Sequence, residues 1–483
     1  MIPLDAIAEH AEAQPDAIAL EHGAEKVTWS RYYDQVARVS AWLAEHVTAV
    51  DATAVVEAPA SSEAFVVISA LATARIPWVA LDPQGDRTVR DHQRSLLSPA
   101  LVVAEDAEGR VVLRTASSGE DTMLADAISE DRPGRRPLMP ERRFRALGFT
   151  SGTTGLPKCV VRSRSSEGPR NALFIKRFGF GTRDRFLLCL PLSHASGHGW
   201  ARTFLTCGGT VVIGSSEPKE IAANLAGSAI TASLIVPPVL DAVVNVLRDR
   251  FPNERVCGQV RFLLTGGRHL SPGLVGRVTR TIGPVLHAYY GTTETGVNAF
   301  AEPIDLLIDP RCSGTVVDGS AIAIVDAEGN EVSSETPGRV AIASYMNADS
   351  YDDGDIPSVE LGGIRYTLTA DLGVMSGDGV LTILGRASEE VSASECGDLI
   401  GFENDLRLLA GVTDAAVAVD SKRFAVAAIE MAEATIDEPL MEYLAIRLGK
   451  QRGVQLPIKA RIVPTLQFNR TGKFDLTKSL VRS

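Results

Sequence analysis

What most constrains the fold of this chain is a rhythm of short apolar runs separated by stretches of helical periodicity. Trp78-Val79-Ala80-Leu81, Leu101-Val102-Val103, Phe186-Leu187-Leu188, Val211-Val212-Ile213, Leu234-Ile235-Val236 and Phe262-Leu263-Leu264 are too short to be helices. They read as strands covered on both faces, with the intervening segments as the covering helices, which predicts an α/β fold with largely parallel sheets. In one such segment Ser30 is placed as an N-cap, after which Tyr32, Val36, Val39, Trp42 and Leu43 recur at helical spacing and would bury one stripe. The 483 residues predict two or three packed units. Hydrophobic residues at 45% and charged residues at 22% exclude disordered, collagen-like and coiled-coil chains.

The balance of 48 Lys+Arg against 60 Asp+Glu leaves −12, which argues against nucleic acid or an anionic membrane as partner. Any anion site must be built locally. The most apolar stretch, Ala64 to Ala74, is cut by Arg75 and falls short of the roughly 20 apolar residues a bilayer requires. Met1-Ile2-Pro3-Leu4-Asp5, with Glu9 and Glu12 close behind, lacks the basic and apolar regions of a signal peptide, so a cytoplasmic location is expected. Cys159, Cys189, Cys207, Cys257, Cys312 and Cys396 contain no CxxC pair and read as reduced, mostly buried thiols. Arg132 to Arg145, with Arg135, Arg136, Arg142, Arg143 and Pro133, Pro137 and Pro140, reads as a solvated basic connector or as a basic lip to a phosphate site. Asp349 to Gly363 is acidic and glycine-containing, and is expected to be an exposed loop.

The segment richest in chemistry is Thr150-Ser151-Gly152-Thr153-Thr154-Gly155-Leu156-Pro157-Lys158. Its glycines let backbone N–H groups approach phosphate oxygens, its hydroxyls donate further hydrogen bonds, and Lys158 offsets charge. It is not a Walker A loop, because Lys158 follows Gly155 by three positions and precedes Cys159 instead of Ser or Thr.

This loop resembles the phosphate loop of the adenylate-forming superfamily, which comprises acyl-CoA synthetases, peptide-synthetase adenylation domains and luciferases. Further motifs follow in the family's order. Tyr290-Gly291-Thr292-Thr293-Glu294 resembles the aromatic-Gly-x-Thr-Glu motif, which implies that Thr293 contacts phosphate and Glu294 helps hold Mg²⁺, an ion suited to a hard carboxylate. Asp371 stands where the family's aspartate binds both ribose hydroxyls, with Arg386 as its companion. Asn469-Arg470-Thr471-Gly472-Lys473 resembles the terminal motif whose lysine bridges the reacting acid and the α-phosphate, which makes Lys473 the chief catalytic candidate. His194, in Pro191-Leu192-Ser193-His194, matches the histidine or aromatic residue lining the acid pocket, and a satisfied structural histidine is the competing reading. Gly266-Gly267-Arg268 matches the loop along adenine and the acid, with Arg268 either meeting an anionic group or facing water.

The resemblance implies a large adenylation domain over 1–385 and a small mobile α+β domain over 386–483, with the site at their boundary. It implies an ATP- and Mg²⁺-dependent, AMP-forming ligase that activates a small acid and passes it to a thiol or amine. The departures lie after Arg386. Ser388 occupies the usual hinge position, Ser392 replaces a lysine, and Glu395 falls on a glycine of the loop that lines the pantetheine tunnel in thioester-forming members; an alignment with two inserted residues lets Gly397 supply that glycine. Either alignment alters the loop and puts CoA transfer in question. Ala370 replaces the glycine before the ribose-binding aspartate, a change tolerated at negative φ. Two alternatives stay open: activation of an unusual acid such as nitrite for transfer to an aromatic amine, and a catalytically silent nucleotide-binding protein. A serine hydrolase is disfavoured, since there is no GxSxG elbow.

Overall fold

A computed structural model describes residues 2–117, 119, 121–129, 140–150, 156–227, 229–386, 391–432, 436–467, 474 and 476–480. The chain divides into two compact units, one of residues 1–235, 242–264 and 348–355, the other of 236–241, 265–347 and 356–483.

The first unit carries the parallel sheets that the apolar runs predict. Strands Thr210–Ile213, Arg185–Leu188, Ala232–Leu234 and Phe262–Gly266 pair in parallel in that order, and Ile18–His22 joins the edge of Thr210–Ile213 in parallel. A second sheet orders Trp78–Ala80, Ala54–Glu57 and Leu101–Glu105 in parallel, then adds Val111–Thr115 and Asp121–Met123 antiparallel. The apolar stretch at Ala64 is a helix, Ser62–Thr73, buried through most of its length and capped by Ser61 Oγ, which accepts from Ala64 N–H at 3.1 Å. No described helix is long and apolar enough to cross a membrane. All six cysteines are free, and all but Cys207 are buried.

Two sequence expectations are corrected here. The helix bearing Tyr32, Val36, Val39, Trp42 and Leu43 buries all five, but it spans Trp29–His46 and its cap is Thr28, not Ser30. Thr28 Oγ1 accepts from Arg31 N–H at 3.2 Å, whereas the Ser30 N–H reaches out to the Pro15 carbonyl. In the basic connector, residues 132–139 lie outside the described residues, but Arg142 is neither a solvated charge nor a phosphate lip. It is 3% exposed, and its guanidinium donates to the carbonyls of Val47 at 2.6 Å, Ala49 at 3.1 Å and Ala74 at 3.1 Å. Three carbonyls just past two helix ends thus share one planar donor set, and burial pulls the guanidinium below its ordinary range. Arg142→Met, which fills the volume but leaves those carbonyls dry, is expected to destabilise the fold by roughly 2–4 kcal/mol, read as a lower denaturant midpoint.

The second unit is dominated by antiparallel pairing, which the sequence rhythm did not show. Strands Leu286–Thr292, Gly296–Ala301, Gly314–Val316, Val380–Arg386, Ile364–Met375, Gly338–Ser344 and Ser320–Val325 pair antiparallel in that order, and Ser358–Leu361 adds to Ile364–Met375. Towards the C-terminus, Val412–Val419, Ala425–Met431 and Ile458–Val463 form a small mixed sheet. Phe402 and Leu406 of helix Leu399–Arg407 and Met441 and Ala445 of helix Glu438–Gln451 pack on its alanine-rich face, in a core that includes Leu372 and Leu384.

Candidate active site

In the first unit, strands Ala146–Phe149 and Cys159–Arg162 pair antiparallel with Phe149 opposite Cys159, so the phosphate loop is the connection of a hairpin. Its neck is closed twice: Thr150 N–H donates to the Lys158 carbonyl at 3.0 Å, and Lys158 N–H donates to Thr150 Oγ1 at 3.2 Å. Ser151, Gly152, Thr153, Thr154 and Gly155 lie outside the described residues. The Lys158 ammonium stands 3.0 Å from the Asp353 carboxylate and 5.2 Å from the centre of the Tyr351 ring.

The span from Asp349 to Gly363 is largely exposed, as expected, but it is not all loop, since it contains strands Ser350–Tyr351 and Ser358–Leu361. Ser350–Tyr351 pairs antiparallel with the outer edge of Cys159–Arg162. Asp352 accepts from the Cys159 N–H at 2.9 Å, and Asp349 accepts from the Ser163 hydroxyl at 2.8 Å. The acidic residues thus satisfy an edge that would otherwise be open. His194 is half-buried at the start of helix Ala195–Thr206, where its carbonyl accepts from Gly197 N–H at 3.0 Å.

In the second unit, Gly266 closes strand Phe262–Gly266, and a Cβ there would run into the Tyr289 ring. Gly267 has φ +77°, which turns the chain at the end of the strand. Arg268 does not face open water: it is half-buried, and burial pulls its guanidinium below the ordinary range against the opposing charges of Glu403 and Asp414. His269 beside it meets the Asn404 side-chain amide at 3.1 Å, and burial pushes its imidazole down to about 4.

Thr293 and Glu294 lie in the three-residue turn between strands Leu286–Thr292 and Gly296–Ala301. Gly296, at φ +73°, supplies the left-handed residue such a turn requires. The support is a pair the sequence reading missed. Buried Asn298 donates to Thr295 Oγ1 at 2.9 Å and to the Gly296 carbonyl at 3.1 Å, and Thr295 Oγ1 stands 3.1 Å from Thr292 Oγ1. Gly291 has no room for a Cβ against the Gly296 carbonyl. The position of Glu294 is therefore fixed by a buried polar network and backbone contact, and its carboxylate remains half-exposed.

The arrangement around Asp371 is the most complete. Asp371 and Arg386 are cross-strand partners, and Arg386 Nε donates to Asp371 Oδ1 at 2.6 Å. The Tyr290 hydroxyl donates to the other oxygen at 2.9 Å, and Asp371 N–H is held by Thr369 Oγ1 at 3.1 Å. Burial, then the Asp371 charge, push the Tyr290 phenol well above its usual range, so it stays a donor. Asp371 in turn raises the Arg386 guanidinium further. With each carboxylate oxygen accepting one bond, lone pairs remain for two further donors such as vicinal hydroxyls. Ala370 lies outside the positive-φ region, as its replacement of glycine requires.

After Arg386, residues 387–390, including Ser388, lie outside the described residues. Glu395 accepts from Ser392 N–H at 3.0 Å, closes a capping box on helix Ala393–Cys396, and pairs with Arg423. The position that demands glycine is Gly397, at φ +58° and ψ −151°, where a Cβ would fall 2.5 Å from the backbone of Gly453. This favours the alignment with two inserted residues. Gly397→Ala is expected to cost roughly 2–4 kcal/mol of stability, measurable as a lowered Tm. Lys473 lies outside the described residues, but Phe474 next to it packs against Ala416, Ala428, Val463 and Leu466.

Residues 7–352 match the family described as AMP-binding enzymes. The chain belongs to that family, and with it to the adenylate-forming superfamily. The match stops short of Asp371, Arg386 and Lys473. Among curated relatives, the medium/long-chain-fatty-acid–CoA ligase FadD8 of Mycobacterium tuberculosis is 23% identical over 71% of this chain, and the match spans 62% of that relative's length. In fold, the chain is similar to the O-succinylbenzoate coenzyme A synthetase MenE of Bacillus subtilis in complex with AMP, with TM-score 0.80 at 19% identity over 99% of this chain and 98% of that one. The amide bond synthetase McbA of Marinactinospora thermotolerans is similar at TM-score 0.79 and 21% identity over 99% of each chain. These adenylate-forming neighbours confirm the α/β architecture that the resemblance implied.

Proposed function

We propose that this member of the AMP-binding family is an ATP- and Mg²⁺-dependent ligase that activates a small acid as its adenylate and passes it to an acceptor. The observation that carries the reading is the Asp371 carboxylate, buried and held between Arg386 and Tyr290 with lone pairs left over. That is a ready acceptor for two ribose hydroxyls.

In the first step an oxygen of the acid forms a bond to the α-phosphorus of ATP while the bond to the β-phosphate bridging oxygen breaks, and pyrophosphate leaves. Thr150, Lys158, Thr293 and the glycine-rich segment between Thr150 and Lys158 bind the triphosphate. Gly266 and Gly267 let adenine approach the backbone. Lys473 bridges the acid and the α-phosphate, placing positive charge where negative charge develops. Mg²⁺ takes one or two carboxylates and leaves the rest of its shell to phosphates and water. Glu294 would hold it, and the ion, when bound, would offset phosphate charge. In the second step the acceptor attacks the acyl carbon and AMP leaves, with the segment 386–483 as the small domain that rearranges between steps.

Fold neighbours that include both a CoA synthetase and an amide bond synthetase support a thiol or an amine as the acceptor. The test is pyrophosphate release with small carboxylic acids and nitrite, each with and without CoA or an aromatic amine. Product with an acid and one acceptor supports the reading and names the acceptor. Release confined to nitrite with the amine moves the function to nitrogen-group transfer.

A further inference from the structure

From His194 along helix Ala195–Thr206 runs a partly buried polar stripe, of which the proposed chemistry uses neither His198 nor Arg202. His194, His198 and Arg202 recur every four residues and so share one face, each step advancing about 6 Å along the axis. Arg202 is 9% exposed. One of its terminal nitrogens pairs with Glu167, but its Nε has no hydrogen-bond partner among the described residues. His198 Nδ1 is likewise buried with no hydrogen-bond partner among them, and the imidazole packs against Trp78 with ring centres 5.0 Å apart.

Two buried nitrogens, on residues one helical turn apart and without hydrogen-bond partners among the described residues, require an explanation, because leaving such groups dry is costly. Arg202 Nε can only donate, and His198 Nδ1 donates in one of its tautomers. Burial, then the charge of Arg202, hold His198 well below its usual range, so it is neutral near pH 7. Burial pushes the Glu167 carboxyl up, but opposing charge, chiefly that of Arg202, outweighs this and keeps it ionised. Arg170 adds a second cation beside the stripe, its Nη1 bonded to the Gly199 carbonyl at 3.3 Å and to Thr203 Oγ1 at 3.2 Å. The surroundings favour an acceptor oxygen, neutral or anionic, and disfavour a cation.

We infer that the acid is compact and carries an acceptor oxygen beyond the group that is activated, bound by His198 and Arg202 one to two helical turns past His194. This rests on the ligase reading and on the family resemblance, which implies that His194 lines the acid pocket. An unbranched fatty acid laid along this face would leave both nitrogens unpaired, whereas a hydroxyl, nitro or second carboxylate oxygen pairs them.

The experiment is acid-dependent exchange of pyrophosphate into ATP with matched acids: benzoate against para-hydroxybenzoate, butyrate against succinate, and hexanoate and octanoate as plain chains. The oxygenated member of at least one pair is expected to exceed its partner by about tenfold or more in kcat/KM. In His198→Leu that ratio should collapse towards one with the KM for ATP unmoved, and in His198→Asn, whose amide keeps a donor near Nδ1, the preference should persist. Equal use of both members, preference for the plain chains, or a ratio that survives His198→Leu overturns the inference and leaves the ligase reading standing. No exchange with any acid overturns the ligase reading itself.

Discussion

Lys473→Ala is expected to slow adenylate formation by roughly 10²–10³-fold while ATP still binds with nearly the parent affinity. The magnitude is that of removing one preorganised charge from the place where negative charge builds in the transition state. Ground-state binding should survive because the proposed function gives Asp371, the phosphate hairpin and the Gly266-Gly267 turn the task of holding the nucleotide independently of this lysine. Stability should survive too, since the neighbouring anchor, Phe474 in its small apolar cluster, is untouched. Single-turnover formation of the adenylate, set beside ATP binding by calorimetry, separates the two effects. A variant that adenylates at the parent rate removes Lys473 from the mechanism.

Asp371→Asn is the second large effect. The substitution keeps the shape but removes the charge that Arg386 and Tyr290 are built around. The KM for ATP should rise roughly 10- to 100-fold, the range for hydrogen bonds made to a charged group. The decisive comparison is with 2′-deoxy-ATP. The parent should discriminate against it, and the variant should use ATP and the deoxy analogue almost equally. A parent indifferent to the 2′-hydroxyl would show that the carboxylate serves only to pin two strands together.

The contrast between these residues shows what was legible before the structure. The apolar runs marked the parallel strands of the first unit, because a strand buried on both faces must be apolar throughout. The antiparallel pairing of the second unit left a weaker trace, since Ile364–Met375 mixes exposed, half-buried and buried positions. The ordered motifs named Tyr290, Glu294, Asp371 and Arg386, each a residue whose type is dictated by the ligand it would meet. Asn298 and Thr295 escaped because their task is internal: a buried asparagine holding a turn has no sequence pattern to set it apart. Arg142 escaped for a related reason. Its neighbours in sequence are charges and prolines, and only the folded chain brings the carbonyls of Val47, Ala49 and Ala74 to it. The same holds for Gly397, whose need for glycine comes from Gly453 and its neighbours, more than fifty positions away.

The account stands or falls on whether the intact chain, given ATP, Mg²⁺ and a small acid, exchanges labelled pyrophosphate into ATP. It predicts exchange that requires both the acid and Mg²⁺, stops with EDTA, and is lost in Lys473→Ala. Tight ATP binding with no exchange across carboxylic acids and nitrite would contradict it and leave a nucleotide-binding protein without turnover.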